Sequence, residues 1–160
     1  MKTLLLILVL SFAAFGQNRL DSIHKIYIDN LGESESSALI REKLRAKLVN
    51  SGRFEVVESA SDADAIMTGA AHVDKTQVGS ISSDSTGIYG REGASYNGQG
   101  VIRLVSTSTK ETIWIYEYKS NAKMRRFIPM MPPPASASGD VAGKTVKQLL
   151  KDAGMSKKKK

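Results

Sequence analysis

Apolar and polar residues alternate through Lys25-Ile26-Tyr27-Ile28, with Ile26 and Ile28 on one side and Tyr27 on the other, and the turn residues Asp29-Asn30-Leu31-Gly32 follow. A period of two closed by turn chemistry predicts a first strand. From Ser34 the period lengthens. Ile40, Leu44 and Leu48 recur at every fourth position, Arg41, Glu42, Lys43, Arg45 and Lys47 surround that stripe, and Ser34 or Ser36 can cap its start. This predicts a helix of about four turns that ends at Gly52, where a left-handed residue is wanted. Phe54 to Val57 then reads as a second strand. It is expected parallel to the first, the usual outcome of a strand, crossover helix and strand within one sheet.

Three more strands are predicted, at Ala65 to Val73, Gly100 to Ser106 and Thr112 to Tyr118, as an antiparallel remainder with Thr107-Ser108-Thr109-Lys110 as a connector of hairpin length. On the last strand Ile113 and Ile115 alternate with Trp114, Tyr116 and Tyr118, so both faces of the sheet should need cover, one helix to each. A closing helix is expected from about Asp140, with Val141, Thr145, Val146, Leu149 and Leu150 as its buried stripe and Gly154 as its end. The order β-α-β-β-β-β-α defines an α+β fold with a mixed four- to five-stranded sheet, a single domain over residues 17–153. Two stretches interrupt the pattern. Residues 79–99 are rich in Gly and Ser, residues 119–139 contain Met130-Met131-Pro132-Pro133-Pro134, and both are expected to be long flexible loops.

An apolar run from Leu4 to Ala14 follows Lys2, and Ala14 and Gly16 have the spacing a signal peptidase prefers, so Met1 to Gly16 reads as a secretory signal peptide and Gln17 as the first mature residue. The run is short of the roughly 20 residues that span a bilayer. The expected setting is the periplasm or the outer membrane. With 41% hydrophobic residues among 160, the remainder can fill one core. Cysteine is absent, which removes a disulfide framework and the lipid-modified cysteine of bacterial lipoproteins. A formal charge of +7 would suit nucleic acid or an anionic surface, but Lys157, Lys158, Lys159 and Lys160 supply much of it from a basic tail, residues 154–160, expected to be disordered. A solvated end is the plain reading of that tail, and peripheral contact with anionic membrane or cell wall is the functional one. Nucleic acid is not an expected partner.

Several segments come near to known chemistry. Gly139-Asp140-Val141-Ala142-Gly143-Lys144-Thr145 resembles a phosphate-binding loop, yet that motif needs glycine where Ser138 stands, and the segment reads as the start of a helix. Ser120-Asn121-Ala122-Lys123 has the S-x-x-K spacing of serine acyl enzymes without their helix or partner motifs. Gly93-Ala94-Ser95-Tyr96-Asn97 misses the nucleophile elbow, and Gly87, Gly90 and Gly93 lack the strand and helix that frame a dinucleotide fingerprint. His72 and Asp74 project from one face of the third strand and His24 precedes the first, so a two-imidazole, one-carboxylate metal site is conceivable, with an ordinary strand-end histidine as the plainer reading. Glu55 and Glu58 face opposite sides of a strand, which removes a paired-carboxylate hydrolase. Asp62 and Asp64 sit in a turn, where capping is the expected work. Arg125-Arg126-Phe127 pairs basic and aromatic groups, suited to a peptide or glycan. No catalytic, cofactor-binding or metal residue is assigned, no cofactor is expected, and the chain is read as not an enzyme.

Lys25 to Asn30, the Leu44 to Glu58 segment with Ser51-Gly52-Arg53-Phe54, Ala63-Asp64-Ala65-Ile66-Met67-Thr68-Gly69, and Val101-Ile102-Arg103-Leu104-Val105 leading to Ile113-Trp114 resemble CsgG-type envelope proteins. That group includes the curli secretion channel, LpoB-type activators of peptidoglycan synthases and the TolB N-terminal domain. The resemblance covers roughly Lys25 to Tyr118 and implies a non-enzymatic domain that binds envelope proteins in outer-membrane or cell-wall assembly or secretion. A homo-oligomer is compatible with it, and a head-to-tail interface would close naturally into a ring. Curli channels and LpoB-type activators are lipoproteins, whereas this chain has no cysteine to modify. In the channel, inserted hairpins form a membrane barrel; residues 79–99 and 119–139 occupy plausible insertion points but lack the sustained alternation of a lipid-facing strand, so no pore is expected. The alternative reading is a periplasmic small-ligand or peptidoglycan-fragment binder using Trp114, Tyr116, Tyr118 and Arg125. A hydrolase using His72 and Asp74 comes third.

Overall fold

Strand β1 (Lys25–Ile28) buries Ile26 and Ile28 completely and pairs along both edges, in parallel with β2 (Glu55–Val57) and with β3 (Ala65–Asp84). Strands β4 (Gly87–Ser106) and β5 (Thr112–Lys119) continue antiparallel, so the sheet order is β2-β1-β3-β4-β5. The protein, seen in a computed structural model that describes residues 20–120 and 133–154, is thus α+β with a five-stranded mixed sheet. One pairing corrects the antiparallel remainder expected above: β3 joins β1 in parallel register, Ile26 opposite Ala65 and Ile28 opposite Met67. Because β2 is only three residues long, residues 58–64 suffice to carry the chain back past the start of β1, with a 3-10 turn at Ala60–Asp62.

Helix α1 (Glu35–Ser51) begins where Ser34 accepts the Ser37 N–H and ends at Gly52, whose φ of 66° is left-handed. Its stripe Ile40, Leu44 and Leu48 is fully buried. Helix α2 (Pro133–Asp152) starts a turn or more before Asp140, so residues 133–139, expected to be loop, are helical. Proline suits that first turn because its missing N–H would have no partner there anyway. Val141, Thr145 and Leu149 are fully buried and Gly154, at φ 75°, follows the helix.

Both helices lie on one face of the sheet, not one on each. Gly139 of α2 faces the Lys43 side chain and Gly143 faces Lys47, so the helices run side by side in the same direction. Beneath them Ile26, Ile28, Met67, Ile102, Leu104 and Trp114 form the core. At Gly98 a Cβ would stand 2.5 Å from Val141 Cγ2, which shows how closely α2 crosses β4. Among the described residues no element covers the other face, where Val101 is 42% and Ile115 63% exposed. Trp114 is bound to α2 through Asp152, Ile115 lies on the open face, and Ile113, at the register shift beside Leu104 and Val105, packs against the core.

Strands β3 and β4 are 20 residues each and pair from Ala65–Ser106 to Asp84–Gly87 across the two-residue turn Ser85-Thr86. Residues 79–99, expected to be a flexible loop, are therefore almost wholly strand. The body of the sheet supports only the base of this hairpin: β5 ends its pairing at Gln99–Lys119 and β1 at Ile28–Met67. At about 3.3 Å per residue, residues 74–84 carry a two-stranded ribbon roughly 35 Å beyond the body. Among the described residues no helix or further strand lies against this ribbon, and a strand with no core to face has no hydrophobic alternation imposed on its sequence.

At the opposite end, the Arg53 guanidinium donates to the carbonyls of Leu20 (3.5 Å), Asp21 (3.3 Å) and Ile23 (3.3 Å) and lies 5.0 Å from the centre of the Phe54 ring. Leu20 and Ile23 are thereby held in the core. No helix among the described residues is long and apolar enough to cross a membrane. The expected signal peptide, Arg125 to Phe127, the middle of the 119–139 segment and the lysine tail lie outside the described residues.

Candidate functional site

Serines at the start of α1 set where the body stops and the ribbon begins. Ser34 Oγ lies 2.9 Å from Ser36 Oγ and 2.6 Å from Ser37 Oγ, Ser37 donates to the Ala71 carbonyl at 2.6 Å, and Ser36 accepts the Val73 N–H at 3.1 Å. With Leu31 accepting the Ala71 N–H, these groups occupy the outer edge of β3 as far as Val73. On the other side the last such contact is Ser120 N–H to Gly98 O, 2.8 Å. Beyond Val73 and Gly98, no strand among the described residues pairs with either outer edge of the ribbon. Strand edges that no other strand among the described residues pairs are the arrangement onto which another strand adds.

A polar cluster marks the ribbon's root on the open face. Gln99 Nε2 of β4 donates to Asp74 Oδ2 at 2.9 Å and stands 2.9 Å from His72 Nε2 of β3, while His72 Nε2 and Asp74 Oδ1 are 3.5 Å apart. The side chains of His72, Asp74 and Gln99 thus form one hydrogen-bonded group across the two strands. The sequence expectation that His72 and Asp74 share a face holds; Gln99 is the partner that spacing along one strand could not supply. Ala70, Val101, Glu117 and Lys119 join the cluster around a shallow hollow of about 230 Å³.

His24 belongs elsewhere. Its Nδ1 lies 3.2 Å from Arg53 Nη1 and its backbone N–H reaches Asp64, roughly 25 Å along β3 from His72. Among the described residues no three His, Cys, Asp or Glu side chains are grouped as a metal would require. Asp64 accepts the N–H groups of Lys25 (2.8 Å) and His24 (2.9 Å), which fix the start of β1 and hold its carboxyl below the usual carboxylate range. Asp62 accepts the Ser61 hydroxyl in the 3-10 turn. Glu58 pairs with Arg45, and Glu55 lies exposed on β2.

Trp114 Nε1 donates to Asp152 Oδ2 at 2.9 Å and its ring stacks on Tyr116 at 6.0 Å; Trp114 is 8% exposed, and Tyr116 and Tyr118 pack against the core. Trp114 thus ties α2 to β5, while Tyr118 also lines the hollow at the ribbon's root. Gly139 to Thr145 lies within α2, where Thr145 Oγ1 donates to the Val141 carbonyl. Gly87, Gly90 and Gly93 to Asn97 are in the β3–β4 ladder, and Ser120 follows β5. The serines at 34, 36 and 37 and the amide of Gln99 were not assigned a site role from sequence. Three hydroxyls where one helix cap suffices is the signal that could have found the first group.

The fold and site define a small α+β domain that carries a projecting β-ribbon. No family model matches the sequence, and no curated protein matches it. Thirteen solved chains are similar in structure. One is a PDZ domain protein from Parabacteroides distasonis ATCC 8503, at 11% identity and a TM-score of 0.47 over 85% of this chain and 33% of that one. This chain therefore spans about a third of that protein's length. Another is a PelC dodecamer from Paraburkholderia phytofirmans, at 12% identity and a TM-score of 0.46 over 81% of this chain and 88% of that one.

Proposed function

We propose that this is an exported, CsgG-like envelope protein that works by contact with other proteins in outer-membrane or cell-wall assembly or secretion, and that the β3–β4 ribbon is its contact element. The observation that carries this reading is the ribbon: the body extends two strand edges that no strand among the described residues pairs, from a root defined by Ser36, Ser37 and Ser120. Main-chain pairing supplies affinity in such contacts and alternate side chains supply selectivity. The segments that resemble CsgG-type proteins fall on β1, on α1 with β2, at the base of β3 and on the paired part of β4 and β5, the scaffold from which the ribbon extends. Trp114, on which a small-ligand reading would depend, is bonded to Asp152 of α2 and stacks on Tyr116.

The test is capture from periplasmic extract with the mature chain and with a variant in which residues 75–96 are replaced by Asn-Gly, joining Asp74 to Asn97. The expected result is a specific set of envelope proteins retained by the full chain and lost by the excised one, whose circular dichroism still shows the folded body. The same set on both baits, or no specific partner under conditions that preserve weak complexes, overturns the proposal. Cell fractionation with intact mass checks its setting: a periplasmic species beginning at Gln17 is expected.

A further inference from the structure

Five lysines lie on the outer side of the helix layer. Lys43 and Lys47 reach from α1 across the seam to α2, where Lys47 Nζ sits 3.6 Å from the point a Gly143 Cβ would occupy and Lys43 Cδ 3.8 Å from that of Gly139. The two glycines thus open a notch for the lysine stems. Lys147 lies one turn beyond Gly143 and Lys151 one turn beyond Lys147, on the same side of α2, with Lys144 beside them. Lys47, Lys144, Lys147 and Lys151 are exposed and Lys43 is half-buried. Among the described residues none of the five is within ion-pair distance of a carboxylate. Of the acids on these helices, Glu35 is at the far start of α1, Glu42 is 3.9 Å from Arg45, and Asp152 is bound to Trp114 and Gln148. Asp140 stands at the head of the row.

We propose that the α1–α2 face docks on an anionic lipid bilayer, with Lys47, Lys147 and Lys151 reaching the headgroup phosphates. Two parallel helices laid side by side present a flat layer, and ammonium groups on flexible stems along it match a plane of phosphates better than a cleft-bound anion. Bound this way, the body turns its open sheet face away from the lipid. The setting rests on the envelope reading above, but the two fail separately: ribbon excision removes protein partners and leaves this lysine row intact.

The experiment is co-sedimentation of the mature chain with vesicles of phosphatidylcholine containing about 30% phosphatidylglycerol, and with phosphatidylcholine alone, at about 0.1 M salt. Binding is expected to the anionic vesicles only. Each lysine near such a surface contributes about fivefold, so K47Q/K147Q/K151Q should bind on the order of 100-fold more weakly with unchanged circular dichroism. K75Q/K119Q, on β3 and β5, should bind as the parent does. The proposal is overturned if the parent ignores anionic vesicles, if it binds only soluble polyanions, or if the triple variant keeps full binding, in which case removal of residues 157–160 tells whether the tail does the work.

Discussion

Gly69 lies in β3 opposite Ile102 with a φ of 144°, and a Cβ built there would meet the Val101 carbonyl oxygen at 2.0 Å. Alanine at this site therefore faces two penalties. A φ of this size lies in a region kept almost wholly to glycine and costs about 1–3 kcal/mol for a residue with a Cβ. The overlap is with backbone, which cannot swing aside as a side-chain tip can, so β3 and β4 must separate. Losing about two ladder hydrogen bonds costs roughly 2 kcal/mol, and shifting the fully buried Leu104 and Ile102 packing adds about 1 kcal/mol or more. The total for Gly69→Ala is about 5 kcal/mol, a large part of the stability of an ordinary domain. Gly52→Ala is the matched control, because Gly52 also has a positive φ, 66°, yet nothing lies within 4 Å of its Cβ position; it should cost only about 1 kcal/mol. Urea denaturation of the mature chain, followed by circular dichroism, measures both. A difference below about 1 kcal/mol between the two variants would refute the claim that backbone crowding at Gly69 locks these strands.

Asp64 contributes through its ionised form: the folded-state pKa is held down by the Lys25 and His24 amides, so its stabilisation is present above the unfolded value near 3.9 and is lost as pH falls through the folded one. Asp64→Asn should lower Tm at pH 7, and the gap to the parent should shrink below about pH 4; a pH-independent gap contradicts this assignment. Trp114→Phe removes the bond to Asp152 and should cost about 2 kcal/mol, whereas Trp114→Phe made together with Asp152→Ala should cost little more, since the carboxylate is then no longer left short of a donor. Ile115→Ser, at a residue 63% exposed, should change stability by no more than about 0.5 kcal/mol; a larger loss would mean that the open face is covered in solution.

The elements legible in the sequence are those that bury a stripe. Ile40, Leu44 and Leu48 announce α1, its two caps are written as Ser34 and Gly52, and Val141 to Leu149 announces the second half of α2. What failed is what local pattern does not encode. Residues 79–99 read as loop because their glycines and serines give no hydrophobic alternation, and strand pairing through the backbone does not require one. The start of α2 was hidden by Pro132 to Pro134, since a proline run signals a break and a helix start with the same letters. The helices share one face where the sequence suggests two because Ile115 looks like core, and only tertiary contact distinguishes an exposed isoleucine from a buried one. The His72–Asp74 pair was visible at spacing two on a strand, but Gln99 enters through the β3–β4 register, which the loop reading had already forfeited.

The clamp formed by Arg53 gives the body a mechanical direction. It grips the chain at Leu20 to Ile23, where β1 begins, while the ribbon leaves from the other end of the sheet. A pull between the segment before Leu20 and whatever holds the ribbon runs along the strand axes. The parallel bonds between β1 and β3 are then loaded together in shear, and they resist as a group where an unzipping load would break them one at a time. A tether at the leading end and a load at the ribbon would find this domain at its stiffest, with Arg53 as the fastening through which tension enters.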